Sequence, residues 1–359
     1  MPVDIWLRDG DRTPSSFFSA VDLDAVRTFY AGLPNAGPTP LHRLPHLAAA
    51  LGIGELLVKD ESQRFGLPAF KIAGARYAIS KLVARERGLR HVACATAGNH
   101  GRAVARAAFA AGLEAHVYVP IGTAPSRIAA LRSEGAHVVV TSAGYDGTVR
   151  LMAADAAGLG WSIVSDTAWE GYEEIPRWIM AGYTQIMNEA AGAWGPAPPD
   201  VVVVQAGVGS LAGSVAAWLD ARFGSGRPRL VTVEPDGSAC LVASLRAGQP
   251  TALPSCGPTA MVGLRCAEVS PLAWRALAPA VDAAMAIDDG LAAEAIARLE
   301  RPNADDPAVV AGASGAAGVG ALIALSRRPE LHDARGALKL STSSRVLAIV
   351  TEGPTQLSA

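Results

Sequence analysis

Lysine is nearly missing from this 359-residue chain. Of its 31 lysines and arginines, only Lys59, Lys71, Lys81 and Lys339 are lysine. Arginine stays protonated in proteins, whereas a desolvated lysine can lose its proton and act as an amine nucleophile. If the chain works through a lysine amine, it has those four candidates. Cysteine is as scarce. Cys94, Cys240, Cys256 and Cys266 are widely spread and form no CxxC pair. That pattern speaks for reduced thiols in a cytoplasmic protein and against a metal site. None of the seven histidines stands at metal-ligand spacing from another, so no metal is expected. A large excess of either charge is lacking too. With a net charge of −2 there is no electrostatic case for nucleic acid or an anionic membrane as partner. No uninterrupted apolar run reaches membrane-spanning length, and Met1 to Asp9 carry neither part of a secretory signal.

Half of the residues are hydrophobic, so a chain of this length buries a large core, in two domains or one large α/β unit. Residues 1–40 read as irregular, around Pro14, Pro34, Pro38 and Pro40. After a short helix ending near 52, strands are expected at 55–59, 92–96, 115–119, 137–141 and 162–165. Helices are expected at 72–87, 99–111, 125–134, 146–157 and 176–191. The linker GAWGPAPPD (192–200) is the clearest seam. Beyond it, VVVVQ (201–205) suits a strand covered on both faces. Further strands fall at 230–234, 281–286 and 345–351. Helices fall at 211–222, 239–247, 290–299, with Asp288 or Asp289 as cap, and 314–326; residues 248–271 and 328–344 read as loops. This alternation predicts parallel sheets in a doubly wound α/β architecture, where ligands sit beyond the carboxyl ends of strands.

The turns after those strands carry the chemistry. Thr96-Ala97-Gly98-Asn99-His100-Gly101 lets backbone approach a ligand and places Asn99 at a helix start; a plain Asn-capped turn is the alternative. Gly207-Val208-Gly209-Ser210-Leu211-Ala212-Gly213 reads as an anion nest at a helix N-terminus, suited to phosphate; glycine used only for tight packing is the alternative. Its spacing is GxGxxxG rather than a dinucleotide fingerprint, although Glu234 ends the next strand where a ribose-binding acid could sit. Ser165 to Glu174, SDTAWEGYEE, concentrates acids and aromatics in one turn. Thr351-Glu352-Gly353-Pro354-Thr355 follows the last strand, and Thr351 could bond a ring nitrogen. Lys71 precedes Gly74 and a helical pattern in KDESQRFGLPAFKIAGARYAIS (59–80). It reads as an amine that binds an electrophile, with pyridoxal phosphate as the group held. Lys59 reads as a surface lysine at a strand end, and His100 as a support of its turn.

Together these stretches resemble the fold-type II pyridoxal-phosphate enzymes of the tryptophan synthase β superfamily, and within them the diaminopropionate ammonia-lyases. The resemblance runs from residue 59 to the C-terminus through AGNHGRAVA, GYDGTVRLMA, SDTAWEGYEEIPRWIMAGY, QAGVGSLAG, VEP, MVGLRC and TEG. It implies two doubly wound parallel-sheet domains with pyridoxal 5'-phosphate between them. Residues 1–75 plus 184–359 would form the large domain, and 76–183 a small mobile one. Lys71 would carry the cofactor beside Phe70, and Asn99 would meet its ring hydroxyl. Gly207, Val208, Gly209, Ser210 and Leu211 would hold its phosphate, and Thr351 would face its ring nitrogen. Lys71 would also take the α-proton of an amino-acid substrate. Asp166 would hold a β-ammonium group, and Tyr145 would line the same pocket. The implied reaction is α,β-elimination of ammonia from L-2,3-diaminopropionate or a related β-substituted L-alanine, giving pyruvate, in a homodimer. Three positions depart from the family pattern: Ala97 and Ala313 stand where it has carboxylates, and Pro354 where an aspartate usually follows TEG. The segment between Lys71 and Gly98 is also shorter. Loss of the acid at Ala97 implies an enzyme for L-substrates alone. A β-replacement synthase, an NAD-binding oxidoreductase built on GVGSLAG and Glu234, and a non-catalytic binding protein are the alternatives.

Overall fold

The computed structural model describes residues 3–10, 12–34 and 36–354, so Thr355 lies outside the described residues. The chain opens with β1 (Asp4–Leu7), α1 (Ala20–Ala31), β2 (Leu41–Arg43), α2 (Pro45–Ala50) and β3 (Glu55–Asp60). Two of these elements, β1 and α1, lie in the stretch expected to be irregular. The prolines flank them rather than interrupt them. α1 starts at a capping box, in which the Ser19 side chain accepts from the Asp22 amide and Asp22 accepts from the Ser19 amide. Val26 and Tyr30, one turn apart, are its buried face.

α3 (Lys71–Arg85) begins at the lysine singled out above. Then come β4 (His91–Ala95), α4 (Asn99–Ala110), β5 (Glu114–Val119), α5 (Pro125–Ser133), β6 (Ala136–Val140), α6 (Tyr145–Leu159) and β7 (Ser162–Ile163). α7 (Glu174–Ala193), β8 (Val201–Gln205), α8 (Ser210–Phe223), β9 (Arg229–Pro235) and α9 (Cys240–Ala247) follow. The last elements are α10 (Pro271–Leu277), β10 (Ala283–Ile287), α11 (Asp289–Glu300), α12 (Ala313–Arg327), α13 (His332–Ala337) and β11 (Arg345–Val350). α10 and α13 occupy stretches in which no helix was expected. Asp288 does cap α11, accepting from the Leu291 amide.

Two sheets result, in the orders β1-β10-β9-β8-β11-β3-β2 and β6-β5-β4-β7. All pairings are parallel except β1 with β10 and β2 with β3, at the edges of the large sheet. The valines of β8 explain why a run, not an alternation, marks the centre. Val201 and Val203 pack in one core with α11 and α12, and Val202 and Val204 in another with α3, α7 and α8. Each buried valine contributes about 1.5–3 kcal/mol relative to exposure. The second core continues through α3 and α4 into the small sheet at Val92, Cys94, Val117 and Val119.

The 192–200 stretch is no seam. It joins α7 to β8 with Trp194 buried against Trp218, and Arg345 donates to the Trp194 carbonyl at 2.7 Å. α3 and α7 lie backbone against backbone. A Cβ on Gly74 would fall 2.5 Å from the Tyr183 ring, and one on Gly182 would fall 2.5 Å from the Ala73 carbonyl. Among the described residues no helix is long and apolar enough to cross a membrane.

Candidate active site

The loop from β3 to α3 is fixed from beneath by charge. Lys59 is 1% exposed; it pairs with Glu189 at 2.7 Å and donates to the Thr39 carbonyl at 2.6 Å. Arg64, equally buried, bonds Glu61 and Glu189. Lys59 is therefore not the surface lysine its strand-end position suggested, because α7 covers the end of β3 and brings Glu189 over it. The other side of the loop is tied to the end of β11. The Phe70 amide donates to the Thr351 carbonyl at 3.1 Å, and the Gly353 amide to Pro68 at 3.0 Å. These bonds set Lys71, the first residue of α3, beside Thr351.

Lys71 opens into a cavity of about 770 Å³. The cavity lining brings together every site residue expected from the sequence: Phe70, Lys71, Asn99, Tyr145, Asp166, Gly207, Val208, Gly209, Ser210, Leu211 and Thr351. Ala97 lines it too, whereas Ala313 and Pro354 do not appear on its wall. Tyr145, at the start of α6, is 60% exposed. The Lys71 ammonium donates to the Asp166 carboxylate. Burial alone would raise the Asp166 carboxyl, but the positive charges of His100 and Lys71 outweigh it and hold the group well below the usual carboxylate range.

The turn carrying Asp166 is built by Tyr172. Its hydroxyl donates to the Ile163 carbonyl and accepts from the Ser165 amide, both at 2.9 Å, while its ring stacks on Trp169 at 4.0 Å. His100 reaches the turn from α4. Its Nε2–H donates to the Val164 carbonyl at 2.9 Å, and its buried Nδ1 faces Asp166 Oδ2 at 3.8 Å. His100 thus does more than support its own turn, as the sequence reading had it. Glu352 was not singled out either. It accepts from Asn99 Nδ2 at 2.7 Å, and burial pushes its carboxyl up despite hydrogen bonds from Ser314 and Asn99. Both residues follow a singled-out residue directly, at Asn99 and Thr351; only the folded contacts set them apart from ordinary turn positions.

The glycine turn meets the steric needs of an anion cradle. Gly209, the N-cap of α8, has φ +91, and a Cβ there would sit 2.9 Å from Leu277. First-turn amides of a helix have no intrahelical acceptor and point at whatever lies before the N-terminus. Ser210 donates to the Asp166 carbonyl at 2.6 Å, which joins the cradle to the acidic turn. Gln205 Nε2 reaches the Ser314 and Gly315 carbonyls at 2.8 and 2.9 Å and Thr351 Oγ1 at 2.8 Å, which fixes the Thr351 hydroxyl on the cavity wall. Glu234 is not placed for a ribose. Its carboxylate is buried and accepts the Leu241 and Val242 amides at 2.8 and 2.9 Å, at the start of α9. The dinucleotide reading fails on that contact.

A lysine amine, a glycine turn at a helix N-terminus and a threonine hydroxyl line one cavity at the carboxyl ends of parallel strands, an arrangement that suits a phosphorylated aldehyde. The profile of the family described as pyridoxal-phosphate dependent enzyme matches residues 33–352, and the chain belongs to that family. It is 37% identical over 368 residues to the diaminopropionate ammonia-lyase of Escherichia coli K12, covering 97% of this chain and 92% of that one. It is also similar to the solved structure of the Escherichia coli enzyme in complex with an aminoacrylate-PLP azomethine reaction intermediate. There the TM-score is 0.90, with 37% identity and coverage of 99% and 95%. The complex of that enzyme with D-serine gives a TM-score of 0.91 at 35% identity, again covering 99% and 95%. The cofactor is pyridoxal 5'-phosphate, and the residues present fit it. Lys71 would supply the amine, Gly207 to Leu211 the phosphate cradle, and Thr351 a hydroxyl beside the ring.

Proposed function

We propose that the protein is a carbon–nitrogen lyase that eliminates ammonia from L-2,3-diaminopropionate, or a closely related β-substituted L-alanine, to give pyruvate. The observation that carries this reading is the Lys71–Asp166 pair on the cavity wall. It puts a proton acceptor and a partner for a second ammonium group side by side. The relatives named above support the choice of substrate.

Bound in the cavity, pyridoxal phosphate supplies an electron sink to the carbon that carries the substrate amine. The chain supplies the rest. Lys71 Nζ, as the unprotonated amine, takes the α-proton. Asp166, ionised at neutral pH, holds the β-ammonium group that Lys71 mimics in this structure. An ammonium leaves as neutral ammonia, taking the C–N electron pair with it. His100 holds Asp166 in place and keeps it charged. The released enamine hydrolyses in water to pyruvate and a second ammonia. Phe70 and Tyr145 close the wall around the substrate.

The division into residues 1–75 plus 184–359 and 76–183 is part of the proposal. The small sheet lies wholly within the second range. Both boundaries fall inside helices, α3 and α7, so the loops flanking the small sheet are the better hinge. A homodimer in the cytoplasm completes the reading.

Assay of pyruvate release over a panel of L- and D-β-substituted alanines tests it. L-2,3-diaminopropionate should be turned over and Lys71→Ala should abolish turnover. Ala97 brings no second base to the cavity, so the D-isomer should be at least about 100-fold slower, the order of a general base's contribution. Ala97→Asp should raise D-turnover. D-turnover near the L-rate would overturn the stereospecific part of the reading.

A further inference from the structure

Far from the cavity, the small sheet gathers residues that the sequence keeps apart. His91 is the first residue of β4, Glu114 the first of β5, and His116 lies two further on. In the parallel register His91 stands opposite Glu114, and His116 opposite His137 of β6. Side chains two apart share a face of a strand, so all four project from the same face. That edge is at the amino ends of the strands; the turn with Asn99 leaves the carboxyl end of β4. Along a strand the two ends are separated by roughly 15 Å.

His91 Nδ1 lies 3.2 Å from His116 Nε2 and 3.6 Å from Glu114 Oε2. One ligand atom from each of the three residues falls within 4.8 Å of the others. Two donors on one tetrahedral zinc ion, with bonds of about 2.0–2.1 Å, lie roughly 3.3 Å apart. The closest separations here match that edge. The Trp161 ring stacks on His116 at 3.7 Å with an interplanar angle of 11° and fixes the imidazole plane. His137 Nε2, 3.4 Å from Glu114 Oε2, offers a fourth donor beside the three.

We propose that His91, Glu114 and His116 bind a divalent transition-metal ion of the class that prefers imidazole and carboxylate, with zinc as its representative. The ion would clip β4 to β5 at the end of the small sheet remote from catalysis, as a structural site. The expectation of no metal rested on spacing along the chain, which strand register overrides.

Equilibrium dialysis of the cofactor-loaded protein against Zn²⁺ tests this, comparing wild type with the double variant His91→Ala/Glu114→Gln. Both positions are more than a third exposed, so the fold should tolerate the changes. Wild type should hold one more zinc per chain than the variant, with at least a tenfold difference in affinity. Cu²⁺, which binds such donors more tightly still, should quench Trp161 emission. That quenching should disappear in the variant and in Trp161→Phe. Equal zinc stoichiometry and affinity in wild type and variant would overturn the proposal, as would Cu²⁺ quenching indifferent to all three substitutions.

Discussion

Asp166 faces both Lys71 and His100, and its removal should be visible without catalysis. In cofactor-free protein, Asp166→Asn leaves the Lys71 ammonium without its counter-charge. Urea unfolding near pH 7 should show a loss of about 1–3 kcal/mol, the usual range for orphaning a part-buried polar group. The sign of the pH dependence follows from linkage. The Asp166 carboxyl is depressed in the folded state, so its contribution is fully present above the unfolded value near 4 and is lost as pH falls through the folded value. The gap between wild type and variant should shrink as pH falls below about 4. A gap unchanged as pH falls from about 4 to about 2 would mean that another group carries the charge. Asp166 was legible in the sequence as an acid in a turn after a strand. His100 beside it, and Glu352 on the same cavity wall, were not, because a histidine or glutamate in a turn is ordinary until the fold shows what it faces.

At the scale of elements, the contact of α3 with α7 sets where Lys71 stands. Gly74 and Gly182 let the two backbones meet, and a methyl at Gly74 has no room against Tyr183 and Ile179. Gly74→Ala should cost about 1–3 kcal/mol, the range for overpacking a core, measured by chemical unfolding. An unchanged unfolding midpoint would show that the helices separate easily and that Lys71 is placed by its loop alone. The long central elements were legible because each meets its own core demand. β8 needs apolar residues on both faces, and α8 needs glycine before its first turn. β1 and β2 were missed for the opposite reason. Each is a short edge strand, and β1 pairs with β10 on the far side of the chain, so nothing local marks it. Lys59 was misread because the glutamate that buries it comes from α7, 130 residues later.

For the whole molecule, alternation of strand and helix was enough for an α/β architecture with parallel sheets. It was not enough for the gathering of four side chains at one edge of the small sheet, which depends on the mutual register of β4, β5 and β6. The central claim is elimination, not replacement, at a cavity that pairs Lys71 with Asp166. The most direct measurement is a product balance on L-2,3-diaminopropionate with the cofactor-loaded enzyme, quantifying pyruvate and ammonia together. The account predicts two ammonia for each pyruvate and no new amino acid. One ammonia with a new amino acid in place of pyruvate would contradict it.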